Sequence, residues 1–445
     1  MNRSLAPNGQ KRESTDNGAN YNPPKHLLEA LKSVANDNSS LEIHQKTGHK
    51  GHPSLRKALA YFYSILMNRT IDVNKEILVT AGALHGIHIT AKSYLNPGDE
   101  VIIFEPFFMR FKSVIDLSGG VSVYVPLRTL SGQRAIESND LTFDRKELES
   151  KFTNRTKMIW LNNPNNPTGK MFTEEELLFI GQLCEKYDVL IMSDEVSQFH
   201  YYEGHHHTRI GDIYMNYADI LIDSNGEQWG KLFVNNGWRI GWVIGPDRLL
   251  WSLRVSLITS IAAVPTPTQI AFAIGLEIEN QRLNTNQSFY NWLKNDTLFK
   301  RNRFLQILNG TGIDVIKPNS GYFIVANFTN VINKVDLSSQ KDERPGFQLP
   351  YWLLKHKGNN IELYQNIMKY YGIDEFNFEP AFNETNLYHP SPANTSADED
   401  TLQFNKQNFL GTIMVFVGVV SVIFELIGLI GAICENLVIT LTILI

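Results

Sequence analysis

The stretch Met158–Val196, MIWLNNPNNPTGKMFTEEELLFIGQLCEKYDVLIMSDEV, reads as strand, turn, helix and strand in succession. Its opening run, Met158–Leu161, is short and apolar and stops at two Asn-Pro steps. Such steps make a turn, because asparagine bonds to nearby backbone and proline locks φ. Thr173 followed three residues later by Glu176 is a capping box, which predicts a helix over Glu174–Tyr187. Val189–Met192 is again short and apolar, with Asp194 just beyond its end. Two buried strands joined by a helical crossover run parallel.

Outward from this unit, Ile77–Thr80, Val101–Phe104 and Ile220–Ile222 repeat the short apolar pattern, with helical stretches between them. The predicted fold class is therefore α/β, a mainly parallel sheet sandwiched by helices. In such sheets ligands lie at the carboxyl ends of the strands, so the residues just after each run are the ones to read. The expected organisation is an N-terminal arm at 1–45, a large domain at 46–255 and an incomplete smaller α+β domain at 256–358. An Asn-, Pro- and Ser-rich linker at 359–408 and a hydrophobic segment at 409–445 follow.

Within that last segment, Phe409–Ile433 has 25 residues and one charge, Glu425, and sixteen of them are Leu, Ile, Val or Phe. At roughly −0.3 to −0.6 kcal/mol each, these outweigh the roughly +2.5 to +3.5 kcal/mol for one central acid. About 20 apolar residues span a bilayer, so a transmembrane helix is predicted, with the large domain left in the cytosol. Gly428–Gly431 and Glu435–Ile439 resemble the first membrane helix of rhodopsin-like receptors.

Composition narrows the rest. The chain has 445 residues, enough for two sizeable cores, and a net charge of −5 that gives no sign of a nucleic-acid partner. With only Cys184 and Cys434, neither a disulfide framework nor a Cys-based zinc site can be built. His205-His206-His207 invites a metal reading, but three adjacent residues cannot all face one ion, and a surface loop is expected.

Five segments carry chemistry. Ala81-Gly82-Ala83-Leu84 follows the first strand where a helix begins, and free N–H groups there can cradle a phosphate. Glu105-Pro106-Phe107-Phe108 offers an aromatic face for a planar ring, or simply a core pair. Asn162–Lys170 offers amide donors beyond a buried strand. Asp194 ends another buried strand, which is costly unless it meets a cation, caps a helix or forms a salt bridge. Lys231, among glycines and aromatics eight residues before Arg239, suits an amine nucleophile beside a phosphate-clamping guanidinium.

Together with Gly51-His-Pro-Ser-Leu-Arg56, Gly237–Trp242 and Ser320-Gly-Tyr-Phe323, these segments resemble the class I/II aminotransferases, fold-type I enzymes of pyridoxal 5′-phosphate. The resemblance covers about Asn17–Gly358 and is nearest to the kynurenine–oxoglutarate branch, whose members also cleave cysteine conjugates. It implies a homodimer acting on an amino acid and a 2-oxo acid. It further implies Lys231 as Schiff-base lysine and acid/base, Asp194 on the ring nitrogen, Asn166 on the ring oxygen and Phe108 on the ring face. Ala83, Leu84 and Arg239 would hold the phosphate, and Gly18 would join Asn166 beside the substrate.

The pattern also departs from the family. Ser197 stands where the family has tyrosine, Gln228 where it has a phosphate-binding serine, and Lys46 where a tyrosine reaches across the dimer. Each loss removes about one hydrogen bond, roughly 0.5 to 1.5 kcal/mol. No arginine follows Arg344, although the family pairs the substrate carboxylate with a later one. Two readings stay open: an active aminotransferase, or an impaired enzyme fold joined to an unrelated, membrane-seeking tail.

Overall fold

The computed structural model describes residues 23–37, 41–130, 134–202, 204–213, 233, 235, 237–283, 285–328 and 330, together with the backbone of 219–224, 236 and 440–444. Its elements in chain order are α1 (Lys25–Ala35), α2 (Pro53–Leu66), β1 (Ile77–Thr80), α3 (Ala83–Tyr94), β2 (Glu100–Glu105), α4 (Arg110–Leu117) and β3 (Val121–Pro126). There follow α5 (Arg145–Ser150), β4 (Thr156–Asn162), α6 (Glu174–Tyr187), β5 (Leu190–Asp194), α7 (Ile210–Ile213), β6 (Asp219–Ser224) and β7 (Gly241–Ile244). The last are α8 (Asp247–Ile261), α9 (Thr266–Asn280), α10 (Phe289–Leu308), β8 (Asp314–Ile316), β9 (Phe323–Asn327) and β10 (Thr440–Leu444).

Seven strands form one sheet in the order β1-β7-β6-β5-β4-β2-β3. The pairs among β2, β3, β4, β5 and β6 are all parallel, and β7 runs antiparallel between β1 and β6. All five expected strands are present, with ends shifted by one or two residues in most. The predicted helix occupies its expected span and carries both halves of the capping box: Glu176 N–H donates to Thr173 Oγ1 at 3.2 Å, and Thr173 N–H to Glu176 Oε2 at 2.8 Å.

Both faces of the sheet are buried. Val101, Ile103, Met158 and Trp160 pack into one core, while their strand neighbours Ile102, Phe104, Ile159 and Leu161 pack into another. Alternate strand residues point to opposite faces, so continuous apolar runs require cover on both. Helices α3, α4 and α8 supply the first core and α5 and α6 the second. A fully buried side chain of this kind stabilises by about 1.5 to 3 kcal/mol.

The position expected to divide the two domains, 255/256, falls inside the continuous helix α8. Phe409–Ile433 lies outside the described residues, and so do the expected linker and the receptor-like Gly428–Gly431 and Glu435–Ile439. Thr440–Leu444, placed by its sequence within the same hydrophobic segment, is a strand and not part of a helix. Its alternation of threonine with leucine and isoleucine suits a strand better, since β-branched residues favour extended backbone. Among the described residues no helix is long and apolar enough to cross a membrane.

Candidate active site

Register alone assembles the site's floor. Asn162, the last residue of β4, lies opposite Asp194, the last of β5, and Asp194 lies opposite Ile222 on β6. Gly241, which opens β7, faces both Ser224 at the end of β6 and Thr80 at the end of β1. The carboxyl ends of β1, β6, β5 and β4 therefore share one edge with the start of β7. Ala83, Leu84, Asn166, Asp194 and Arg239 all follow or adjoin those ends, as the sequence reading expected.

Asp194 is buried, with 5% of its surface exposed. Its carbonyl accepts from Asn162 Nδ2 at 3.2 Å and from Asn163 N–H at 3.0 Å, which clamps β5 to the loop beyond β4. Val196 N–H donates to Asp194 Oδ1 at 3.3 Å, so the carboxylate also steadies the turn that follows it. That loop is self-braced. Asn166 N–H donates to Asn162 Oδ1 at 2.5 Å, Asn163 Nδ2 reaches Thr208 O at 2.8 Å, and Asn165 Oδ1 accepts from Thr168 Oγ1 at 2.6 Å. Gly169 closes it at φ +73°, where a Cβ would stand 2.4 Å from Ser320 O. Only glycine fits that approach.

Phe108 follows β2 and meets Phe111 edge to face at 5.7 Å, and Phe111 in turn meets Trp160 at 5.3 Å. At the other end of the edge, α3 starts after Gly82, which has φ +84° and offers no side-chain cap. The first N–H groups of a helix have no partner within it, and the dipole adds positive charge there. Arg239, at φ +53°, lays its Nη2 on Ala81 O at 3.3 Å. A Cβ on Gly82 would stand 3.0 Å from that same Nη2, so the glycine keeps the guanidinium close to the helix start.

Beneath Asp194 lies a buried polar network that sequence reading passed over. Glu195 is fully buried, accepting from Ser193 Oγ at 3.0 Å, with His207 Nε2 at 2.9 Å and Arg209 Nε at 3.5 Å. Burial pushes the Glu195 carboxyl up to about 8, against the pull of Arg209. Burial likewise holds His207 well below the usual histidine value, with Arg209 adding repulsion. The contact is thus a hydrogen bond between neutral groups at moderate pH. Arg209 also donates to Gln198, whose Nε2 donates to Tyr63 OH at 2.9 Å, where Trp242 Nε1 donates too at 3.1 Å.

The histidine run therefore needs correction. His207 is a buried partner of Glu195, with 2% of its side chain exposed, and His205 Nε2 lies 2.9 Å from Asn319 Nδ2. Only His206 is exposed as a surface loop requires. Glu195, a buried acid twelve residues earlier in the chain, is what draws His207 inward, and adjacency in sequence did not reveal it. Among the described residues no group of three His, Cys, Asp or Glu could hold a metal ion.

Lys231, Gln228 and Gly18 lie outside the described residues. Ser197 is buried and Lys46 exposed.

A family model for aminotransferases of class I and II matches residues 14–373. The chain belongs to the class I and II aminotransferases. The match runs past Gly358, where the motif resemblance stops. Kynurenine–oxoglutarate transaminase 3 of Homo sapiens is 38% identical over 339 residues, spanning 75% of this chain and 72% of that protein. Kynurenine–oxoglutarate transaminase 1 of Mus musculus is 35% identical over 341 residues, 76% and 79% of the two chains. Among solved structures, Bna3p of Saccharomyces cerevisiae superposes with a TM-score of 0.67 at 29% identity, covering 75% of this chain and 77% of that one.

Class I and II aminotransferases use pyridoxal phosphate, and this aminotransferase is an enzyme of that cofactor. Its described residues fit the group. The uncapped start of α3 with Arg239 suits a phosphate dianion, and the buried carboxyl group of Asp194 suits a protonated ring nitrogen.

Proposed function

We propose that this aminotransferase moves the amino group of a kynurenine-like, aromatic, glutamine-like or sulfur amino acid to a 2-oxo acid, with β-elimination from cysteine conjugates as a variant at the same site. The observation that carries this reading is the shared sheet edge: Asp194 ends β5, and the α3–Arg239 cradle adjoins β1 and β7, with β6 alone between β5 and β7. The relatives' names supply the substrate class.

When bound, pyridoxal phosphate supplies an electron sink for negative charge at the substrate's α-carbon. In this reading Asp194 holds the ring-nitrogen proton through its carboxylate, and burial strengthens that pairing. Lys231 moves the proton at the α-carbon. Asn166 donates to the ring oxygen, Phe108 covers one ring face, and Ala83, Leu84 and Arg239 neutralise and orient the phosphate. Gly18 and Asn166 border the substrate. The large domain of 46–255, the smaller domain of 256–358, a homodimeric assembly and a cytosolic catalytic part belong to the same proposal. The apolar Phe409–Ile433 is the segment through which a membrane would be engaged, which vesicle flotation of the full chain tests.

The deciding assay offers a panel of amino acids with 2-oxoglutarate and follows the amino group. Asp194→Ala should lower kcat by about 10²-fold or more, as for loss of a group acting in the transition state. A second reading, a member impaired in amino transfer, rests on the lack of any arginine after Arg344. Cofactor binding without transfer from any amino acid in the panel would favour it.

A further inference from the structure

We propose that His85 is a positioning residue of the phosphate cradle, fixing the turn before α3 and tying it to the end of α8 through Ser260. This rests on the reading that the start of α3 receives the cofactor phosphate.

The hydrogen bonds form one directed chain. Ala81 N–H donates to His85 Nδ1 at 3.2 Å, so Nδ1 carries no proton and Nε2 carries the ring hydrogen. Nε2 then donates to Ser260 Oγ at 3.0 Å, and Ser260 Oγ donates onward to Leu257 O at 3.1 Å. Each donor in the chain has one acceptor. Burial, helped by the nearby His88 and Arg239, pulls the His85 pKa down to about 4, which keeps the ring neutral and Nδ1 able to accept.

Position explains the use. His85 is the third residue of α3, the place from which a capping box reaches back to the backbone before the helix. Here His85 reaches one residue further back, to the N–H of Ala81 before the N-cap. Gly82, in the N-cap place, has no side chain to occupy the first helical N–H groups. The turn is thus held by a side chain from inside the helix, while the donors that face an anion stay open. A serine or aspartate at residue 82 would brace the turn as well, but would compete with the phosphate for the same N–H groups. The bond to Ser260 anchors the ring on α8, 175 residues away in sequence. The turn's orientation therefore depends on tertiary packing and not on local backbone alone.

The test compares binding of pyridoxal phosphate, pyridoxal and inorganic phosphate to the full-length wild type, His85→Ala, His85→Asn and Ser260→Ala. His85→Ala should weaken pyridoxal phosphate and inorganic phosphate by about two- to tenfold, the range of one hydrogen bond, and leave pyridoxal unchanged. His85→Asn, which can still accept from Ala81, should recover most of the loss. Ser260→Ala should weaken phosphate less, and combining it with His85→Ala should add nothing, because both act through one ring. Equal weakening of pyridoxal, or unchanged phosphate affinity in His85→Ala, would overturn the proposal. A wild type that binds no pyridoxal phosphate would instead overturn the reading beneath it.

Discussion

The two ends of the candidate site are held by opposite means. At the Asp194 end, groups are closely packed and hydrogen-bonded: Gly169 against Ser320, Asn162 and Asn163 on the Asp194 carbonyl, and Glu195 among Ser193, His207 and Arg209. At the Gly82 end, backbone groups are left open, and the nearest crowding atom is the tip of one flexible arginine. A proton on a ring nitrogen demands one fixed carboxylate, whereas a phosphate dianion is met by several N–H groups that must not be spent elsewhere. The difference teaches where rigidity is stored.

Substituting alanine for the glycine at each end should expose that difference. Gly169→Ala puts a Cβ 2.4 Å from a backbone oxygen at φ +73°, and it should cost about 3 kcal/mol or more in urea unfolding. Were it neutral, the close approach to Ser320 would not govern this loop. Next in size, Glu195→Ala should destabilise by about 2 to 3 kcal/mol, since it takes the carboxyl partner from the buried His207 and one of the partners of Arg209. Glu195→Gln should cost under about 1 kcal/mol, because the native carboxyl is largely protonated near neutrality. A larger loss in Glu195→Gln than in Glu195→Ala would mean that the charge, and not the hydrogen bonding, matters.

Gly82→Ala meets only the Arg239 tip, so its cost should be about 1 to 2 kcal/mol, from φ alone. Its binding of pyridoxal phosphate should nonetheless fall, and stability lost as heavily as in Gly169→Ala would erase the contrast between the ends. A further effect is expected in acid. The His85 pKa drops from 6.5 to about 4 on folding, so the unfolded chain binds more protons between those values. Stability should then rise with pH across that window and be fully present above it. Thermal melts of His85→Asn should show a shallower loss on acidification than wild type, and an identical slope would contradict the half-buried neutral ring.

Much of this was legible in the sequence, for reasons that differ by region. Strand ends announced themselves because apolar runs stop abruptly at Asn162, Asp194 and Ala81, and the capping box of α6 is local by nature. The antiparallel β7 was not read as a strand, since Gly241–Ile244 is short and sits inside a motif read for chemistry. Val121–Pro126 was missed as well, its polar alternation being that of an edge strand. Glu195, His207 and Arg209 escaped because a buried network joins residues whose spacing follows no period. His85 escaped for the same cause, its partner Ser260 lying on a distant helix.

The central claim is that one amine, at Lys231, serves the site whose carboxylate is Asp194. Borohydride reduction of the cofactor-loaded enzyme, followed by peptide mapping, tests it most directly. The account predicts a pyridoxyl group fixed on the peptide containing Lys231 and its absence from Lys231→Ala. A label on another lysine in the wild type, with Lys231 unmodified, would contradict it.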